Sequence, residues 1–265
     1  MKKAVLLGSL LMLLALFSVA QKVAKPVISS QNFTDKTGLW ESIGNGVYNF
    51  QADIMYIYGK LYVTPLMPDS ANHKLPTLTD AYLYPLYSQF KKNGGEIVPG
   101  YPADVFLILN FTNQPVQVYK QLAAEMRSFS DMLTYKVENN DHKGKLRILI
   151  KDKTQLDKIN AIKPSFLGLV GSLADIDKNI DSFLMPLIEV DFNTLTGWKG
   201  TGTIPFEDFV KIKELVAKVH AQKKKISIAN CPAYKTVADM IISSQADYMN
   251  TAEVARVSAF FAEPK

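Results

Sequence analysis

Acid–base and nucleophilic chemistry needs imidazoles, thiols or closely set carboxylates, and this chain holds few of them. Its three histidines are His73 in the turn-rich loop "DSANHKLP", His142 in the polar turn "ENNDHKGK" and His220 in a long amphipathic segment. Cys231 is the single cysteine and has no histidine near it in sequence, so it reads as a small buried hydrophobe and not as a nucleophile. Two carboxylates are better placed: Asp53 within "FQADIMYI" and Asp191 within "LIEVDF" both stand in runs of strand character. Comparable strand ends carry Gln51, Pro65 and Asn110, none of which can exchange a proton near neutral pH. Asp191 suits either a pocket or the capping of a loop. Trp198, flanked by glycines in "TGWKGTG", suits either stacking on a ligand or closing one end of the fold.

The elements that must position these residues are legible as a pattern. "GVYNFQADIMYI", "KLYVTP", "VFLILNF", "LRILI", "LIEVDF", "KISIAN" and "ADYMNT" have the β-branched and aromatic content of strands. The alternating Tyr48, Tyr56, Tyr58 and Tyr62 read as residues packing against helices. Between several strands lie segments of helical period. "PFEDFVKIKELVAKVHAQKKK" places Phe206, Phe209, Val210, Val216 and Val219 on one face, with acids in its first turn and Lys223 to Lys225 in its last. "PVQVYKQLAAEMRSFSDMLTY" does the same with Val118, Leu122, Met126, Phe129 and Leu133. Alternation of strand and helix implies a parallel sheet with right-handed crossovers, and the unbroken apolar run "VFLILNF" implies cover on both faces. Seven or eight such units predict an α/β fold, a TIM-type (β/α) barrel, ahead of an open doubly wound sheet.

The N-terminus adds a compartment. "MKKAVLLGSLLMLLALFSVA" has two lysines, an apolar run too short to span a bilayer and small residues at its end, which predicts a cleaved secretory signal over residues 1–20. One barrel domain over residues 21–265 is expected, exported to the periplasm or beyond. The net charge of +5 includes Lys2 and Lys3, so the mature chain carries +3, an ordinary value that argues against nucleic acid as a partner. Hydrophobic residues make up 48%, ample for a buried core, and no later segment reads as a transmembrane span.

Taken in order, "SSQNF", "LWESIGNGVYNFQADIMYIYGKLYVTP", "LPTLTDAYLYPL", "LILNFT", "VDFNTLTGWKGTGTIP", "VAKVHAQKKKISIANCP" and "ADYMNTAEVARVSAFF" resemble the glycerophosphodiester phosphodiesterase and phosphatidylinositol-specific phospholipase C-like superfamily, most closely a secreted bacterial branch. The resemblance runs from about Ser30 to Phe261 and rests most on the "LPTLTDAYLYPL" segment and on Trp198, Gly200 and Gly202 followed by His220 and Pro232. It implies a TIM-type barrel. It also implies a catalytic set: a His-Asn pair after the first strand, a Glu-x-Asp pair on the second, another His after the third and an acid on the strand matching "LILNFT". Two imidazoles would act as general base and acid, and carboxylates would hold Ca²⁺ or Mg²⁺ against the charge building on phosphorus.

Position by position, the chain departs from that set. Asn32 and Asp53 are kept, while Gln31, Gln51, Pro65 and Asn110 stand where the His, the Glu, the second His and the later acid belong. Two of three anionic ligands are thereby neutral, which predicts no resident metal cofactor. The expected function is a secreted, catalytically degenerate barrel that keeps a pocket for a small phosphorylated ligand or a protein partner. The alternative is an active phosphoric diester hydrolase on glycerophosphodiesters or phosphoinositide head groups, working through His73, Asp53 and Asp191 with Ca²⁺ or Mg²⁺. A third possibility is a surface protein whose barrel displays loops to a partner.

Overall fold

The computed structural model describes residues 24–68, 75–137, 140–151 and 166–261. The leader expected over residues 1–20 and His73 lie outside the described residues.

Eight parallel strands close on themselves. They are β1 (Val27–Ser29), β2 (Asn49–Ile57), β4 (Val105–Phe111), β7 (Leu146–Ile150), β8 (Leu167–Gly171), β9 (Leu187–Asp191), β10 (Lys225–Ala229) and β11 (Tyr248–Thr251). Strand β1 pairs with β11 on one side and β2 on the other, which closes the barrel and confirms the TIM-type (β/α) architecture. Two of the eight carry weak sequence signals: β1 is only three residues long, and "LGLVG" in β8 is diluted by glycine.

"KLYVTP" forms a strand, β3 (Lys60–Val63), but not a barrel stave. It folds back antiparallel on β2 through a tight turn in which Tyr58 and Gly59 both have positive φ. That conformation matches the two-residue hairpin turn that follows strand twist. Tyr58 is accordingly fully exposed at the tip, against the expectation that all four tyrosines pack on helices, whereas Tyr48 is buried. A small hairpin, β5 (Tyr135–Val137) with β6 (Asn140–His142), lies outside the barrel sheet.

Helices α1 (Lys36–Gly44), α2 (Tyr84–Lys92), α3 (Pro115–Met126), the one-turn α4 (Phe192–Leu195), α5 (Phe206–Ala221), α6 (Lys235–Ser244) and α7 (Val254–Phe260) follow strands in the expected alternation. The stripe read along "PVQVYKQLAAEMRSFSDMLTY" is buried at all five positions. In α5 the buried residues are Ile212, Val216 and Val219, while Phe206 is 79% exposed. The helix begins at Phe206, so that residue has no turn before it to hold it down on the sheet. Lys225 belongs to β10 and not to the last helical turn.

Strand alternation divides the apolar residues into two sets. Phe50, Ala52, Ile54, Leu107, Leu109, Ile148, Ile150, Ile188, Val190, Ile226 and Ile228 pack outward against the helices in one large core. Ile28, Phe106, Ile108, Leu149, Val170 and Leu187 form a second cluster, which fills the barrel interior. Strand register resolves that interior into layers drawn from alternate staves. Ile28, Ile108 and Val170 share the middle layer with Ser227. Leu149 and Leu187 lie beneath it, and Gln51, Lys151, Glu189 and Asn250 form the layer above. The apolar centre separates the barrel mouth, at the strands' C-terminal ends, from the opposite end. Replacing the fully buried Leu149 with Ala should open a void in that seal and cost about 2–5 kcal/mol in a denaturant titration, with the far-ultraviolet spectrum unchanged.

Candidate functional site

The mouth is assembled from residues that the strand ends deliver and one loop anchors. Asn32 follows β1 and reaches Asp53 on β2 by two bonds: its Nδ2 donates to Asp53 Oδ2 at 2.9 Å, and its Oδ1 accepts the Asp53 backbone N–H at 2.7 Å. Asn110 on β4, in register with Asp53, donates to the other carboxylate oxygen at 2.8 Å. Both oxygens of Asp53 are thus held by neutral amides. The loop bearing Asn32 is fixed by Tyr82, whose hydroxyl donates to the Gln31 carbonyl at 3.1 Å and accepts the Phe33 N–H at 3.2 Å. Tyr82 is wholly buried between Phe33 and Phe50, and burial pushes its phenol pKa well up, so it remains a neutral O–H. The "LPTLTDAYLYPL" segment therefore positions the mouth from behind. Gln31 turns away, donating to the Ala252 carbonyl at 2.7 Å, and Pro65 is an exposed residue beyond β3.

Just inside lies a chain of polar side chains of which the sequence had marked only Gln51. Asn250 Nδ2 donates to Gln51 Oε1 at 2.9 Å and to Glu189 Oε2 at 2.8 Å, and Lys151 Nζ meets Glu189 Oε1 at 2.5 Å. These four residues come from four alternate staves, so one layer of the barrel carries amide, amide, carboxylate and ammonium. Two buried atoms in this region have no partner among the described residues: Asn250 Oδ1 and, one layer down, Ser227 Oγ. Leaving a buried polar atom unpaired costs about 1–3 kcal/mol, which a water or a ligand group at that atom would offset. Signals for these residues existed in the alternation of "LIEVDF" and "KISIAN", where Glu189 and Ser227 fall on the inward face. Lys151 lies just past the last residue of β7, and only the closed register shows that it meets Glu189.

The remaining expected residues serve other ends. Asp191 closes β9 and caps α4: its Oδ1 accepts the Asn193 N–H at 2.7 Å and its Oδ2 accepts Asn230 Nδ2 at 2.5 Å. The Asn230 amide, then the Asn193 N–H, hold its pKa below the usual carboxylate range. Trp198 is only 9% exposed, packs on Phe192 at 6.1 Å between ring centroids, and spends its indole N–H on the Thr201 carbonyl at 2.7 Å. Its ring is thus largely buried and its one hydrogen-bond donor is engaged within its own loop. Gly200, at φ 85°, packs so closely on Val237, Tyr234 and Pro232 that a Cβ would lie 2.8 Å from Val237. His220 pairs with Asp247 at 2.7 Å on the outer ring of helices. His142 is more engaged than its polar turn suggested, with Nδ1 2.9 Å from the Leu133 carbonyl and its ring stacked on Tyr135. Cys231 is half-buried, and burial pushes its thiol far up, the opposite of an activated nucleophile.

No group of three His, Cys, Asp or Glu side chains able to hold a metal occurs among the described residues. Asp53 is committed to two N–H donors, and Gln51 Oε1 to a third.

No family model matches the chain, and no curated protein does. Among solved structures, a glycerophosphodiester phosphodiesterase from Agrobacterium tumefaciens str. C58 matches with a TM-score of 0.51 at 12% identity, over 89% of this chain and 99% of that one. Phosphoribosyl anthranilate isomerase from Thermus thermophilus matches with a TM-score of 0.43 at 10% identity, over 89% and 98%. The first likeness establishes a shared barrel fold.

The Tyr82 anchor is open to direct test. Tyr82→Phe leaves the buried Phe33 N–H without its acceptor, so stability should fall by about 1–3 kcal/mol in chemical denaturation. The Asn32 side-chain amide resonances should broaden or shift, while those of Asn230, tied elsewhere, should not.

Proposed function

We propose that this chain is an exported, PLC-like phosphodiesterase-fold protein that binds a small ligand in its barrel mouth and does not hydrolyse phosphodiesters. The observation that carries this reading is Asp53, with both carboxylate oxygens taken up by the amides of Asn32 and Asn110 where the resembling phosphodiesterases would place a cation. Hydrolysis of a phosphodiester needs a proton acceptor, a proton donor and a counter-charge for phosphorus. Gln31, Gln51, Pro65 and Asn110 supply none of these.

The same mouth is well suited to recognition. Asn250 Oδ1 and Ser227 Oγ are buried and without a partner among the described residues, so a ligand would reach them by displacing the side chains of the polar layer. Both features suit hydroxyl groups of a polyol. A phosphate on that ligand would meet three carboxylates, Asp53, Glu189 and Asp191, against the single ammonium of Lys151, and so would stay at the rim. The ligand's hydroxylated part is the part that enters.

Purified residues 21–265 should therefore show no turnover of bis(p-nitrophenyl) phosphate or of glycerophosphocholine, with or without millimolar Ca²⁺ or Mg²⁺, and no change in melting temperature with either ion. A polyol that binds should raise the melting temperature, because a ligand selective for the native state stabilises it. Asn250→Ala should abolish that rise. Metal-dependent turnover that disappears in Asp53→Ala would establish the hydrolase alternative instead.

A further inference from the structure

The barrel end opposite the mouth holds a second polar feature. Arg147 lies on β7 two residues before Leu149 and is only 3% exposed. Its guanidinium donates to the Thr134 carbonyl at 3.0 Å and to the Phe183 carbonyl, and its Cζ lies 4.0 Å from the centroid of the Phe183 ring. Among the described residues those partners satisfy two of five N–H donors and supply no negative charge. The acids that act on it, Asp104 and Asp141, do so from beyond ion-pair contact. Asp104 accepts the Thr134 hydroxyl at 3.0 Å, and Asp141 faces Lys136 at 3.9 Å. Burial lowers the Arg147 pKa to about 10, which leaves the group charged at neutral pH.

A cleft of about 250 Å³ opens beside this guanidinium. Phe106, Phe183, Pro186 and Tyr248 give it apolar walls, while Arg147 and Lys225 give it two cations against the carboxylate of Asp104. Lys225 is half-exposed and shares its charge with Asp247 at 2.7 Å, so the guanidinium is the less compensated of the two. The volume is below the roughly 300–1,000 Å³ of drug-sized sites, so its occupant is small. The apolar seal of Ile28, Ile108, Leu149, Val170 and Leu187 stands between this cleft and the mouth.

We infer that this cleft is a second binding site, for a small organic acid whose carboxylate pairs with Arg147 and whose apolar body rests on Phe106, Phe183, Pro186 and Tyr248. A planar guanidinium suits a carboxylate because two N–H groups can meet its two oxygens at once. The site is independent of the mouth and of the function proposed for it. A purely architectural Arg147, tying the Thr134 and Phe183 loops together, would need neither the unfilled donors nor the adjoining space.

Benzoate is the probe, titrated by calorimetry into residues 21–265 at constant ionic strength, with benzyl alcohol and benzylamine as neutral and cationic controls of the same body. Benzoate should bind with one-to-one stoichiometry, at least about tenfold more tightly than either control. Arg147→Lys should weaken it by a similar factor. Because that variant can fold poorly, Ala103→Trp serves beside it: Ala103 is an exposed residue of the cleft lining, so the indole should fill the cleft, leave the fold intact and remove benzoate binding. Asn250→Ala, in the mouth, should leave benzoate binding unchanged. Equal affinity for the three probes, or benzoate binding undiminished in Ala103→Trp, would overturn the assignment.

Discussion

The structure depends on a three-residue strand. Val27, Ile28 and Ser29 pair in parallel with β11 on one side and β2 on the other, and without them the sheet would end in two open edges. Closure does more than satisfy those backbone groups. It brings the residues after β1 over the end of β2, so that Asn32 can reach Asp53, and it sets Gln51 and Asn250 within one hydrogen bond of each other although 199 positions separate them in the chain. The mouth is thus a product of register: each of its side chains is ordinary for its own strand, and only the closed circle assembles them.

Register also explains why the two ends of the barrel can differ. Inward positions alternate between neighbouring staves, so a layer that is apolar in the middle, at Ile28, Ile108 and Val170, can sit beneath one that is wholly polar. The polar layer is costly. A partly buried Lys–Glu pair loses solvation that its attraction only partly restores, and such a pair is weak evidence for stability. Asn250 adds an acceptor with no partner to that cost. A scaffold concerned only with stability would fill this layer with aliphatic side chains, as Ile28, Ile108 and Val170 fill most of the layer below it.

Much of the fold was legible because helical stripes and apolar strand runs report the same core from two periodicities. The stripe from Val118 to Leu133 is an example in which every expected position is buried. The strands that escaped notice were those with too little side-chain signal, three residues in β1 and the glycines of β8. Positions that the resemblance marked, Asn32, Asp53 and Asn110, come together around one carboxylate. The Lys151–Glu189–Asn250 chain was not legible, because its members lie on non-adjacent strands and no local spacing connects them. The glycines flanking Trp198 left two readings open in the sequence, stacking on a ligand or closing one end of the barrel. Gly200 serves a backbone approach to Pro232, Tyr234 and Val237, and the indole N–H closes its own loop.

Two amides hold the central carboxylate of the mouth: Asn32, at a position the resemblance keeps, and Asn110, where it implies an acid. Asn32 Oδ1 is held by the backbone N–H of Asp53, which leaves the amide no freedom to turn: the N–H₂ end must face the Asp53 carboxylate. That arrangement sets a positively polarised hydrogen against one oxygen of Asp53. The anchor that keeps this geometry, Tyr82 bonded to Gln31 and Phe33, is buried and neutral. Each oxygen of that central carboxylate thus accepts one amide hydrogen, while beneath it Asn250 Oδ1 and Ser227 Oγ stay buried without a partner among the described residues.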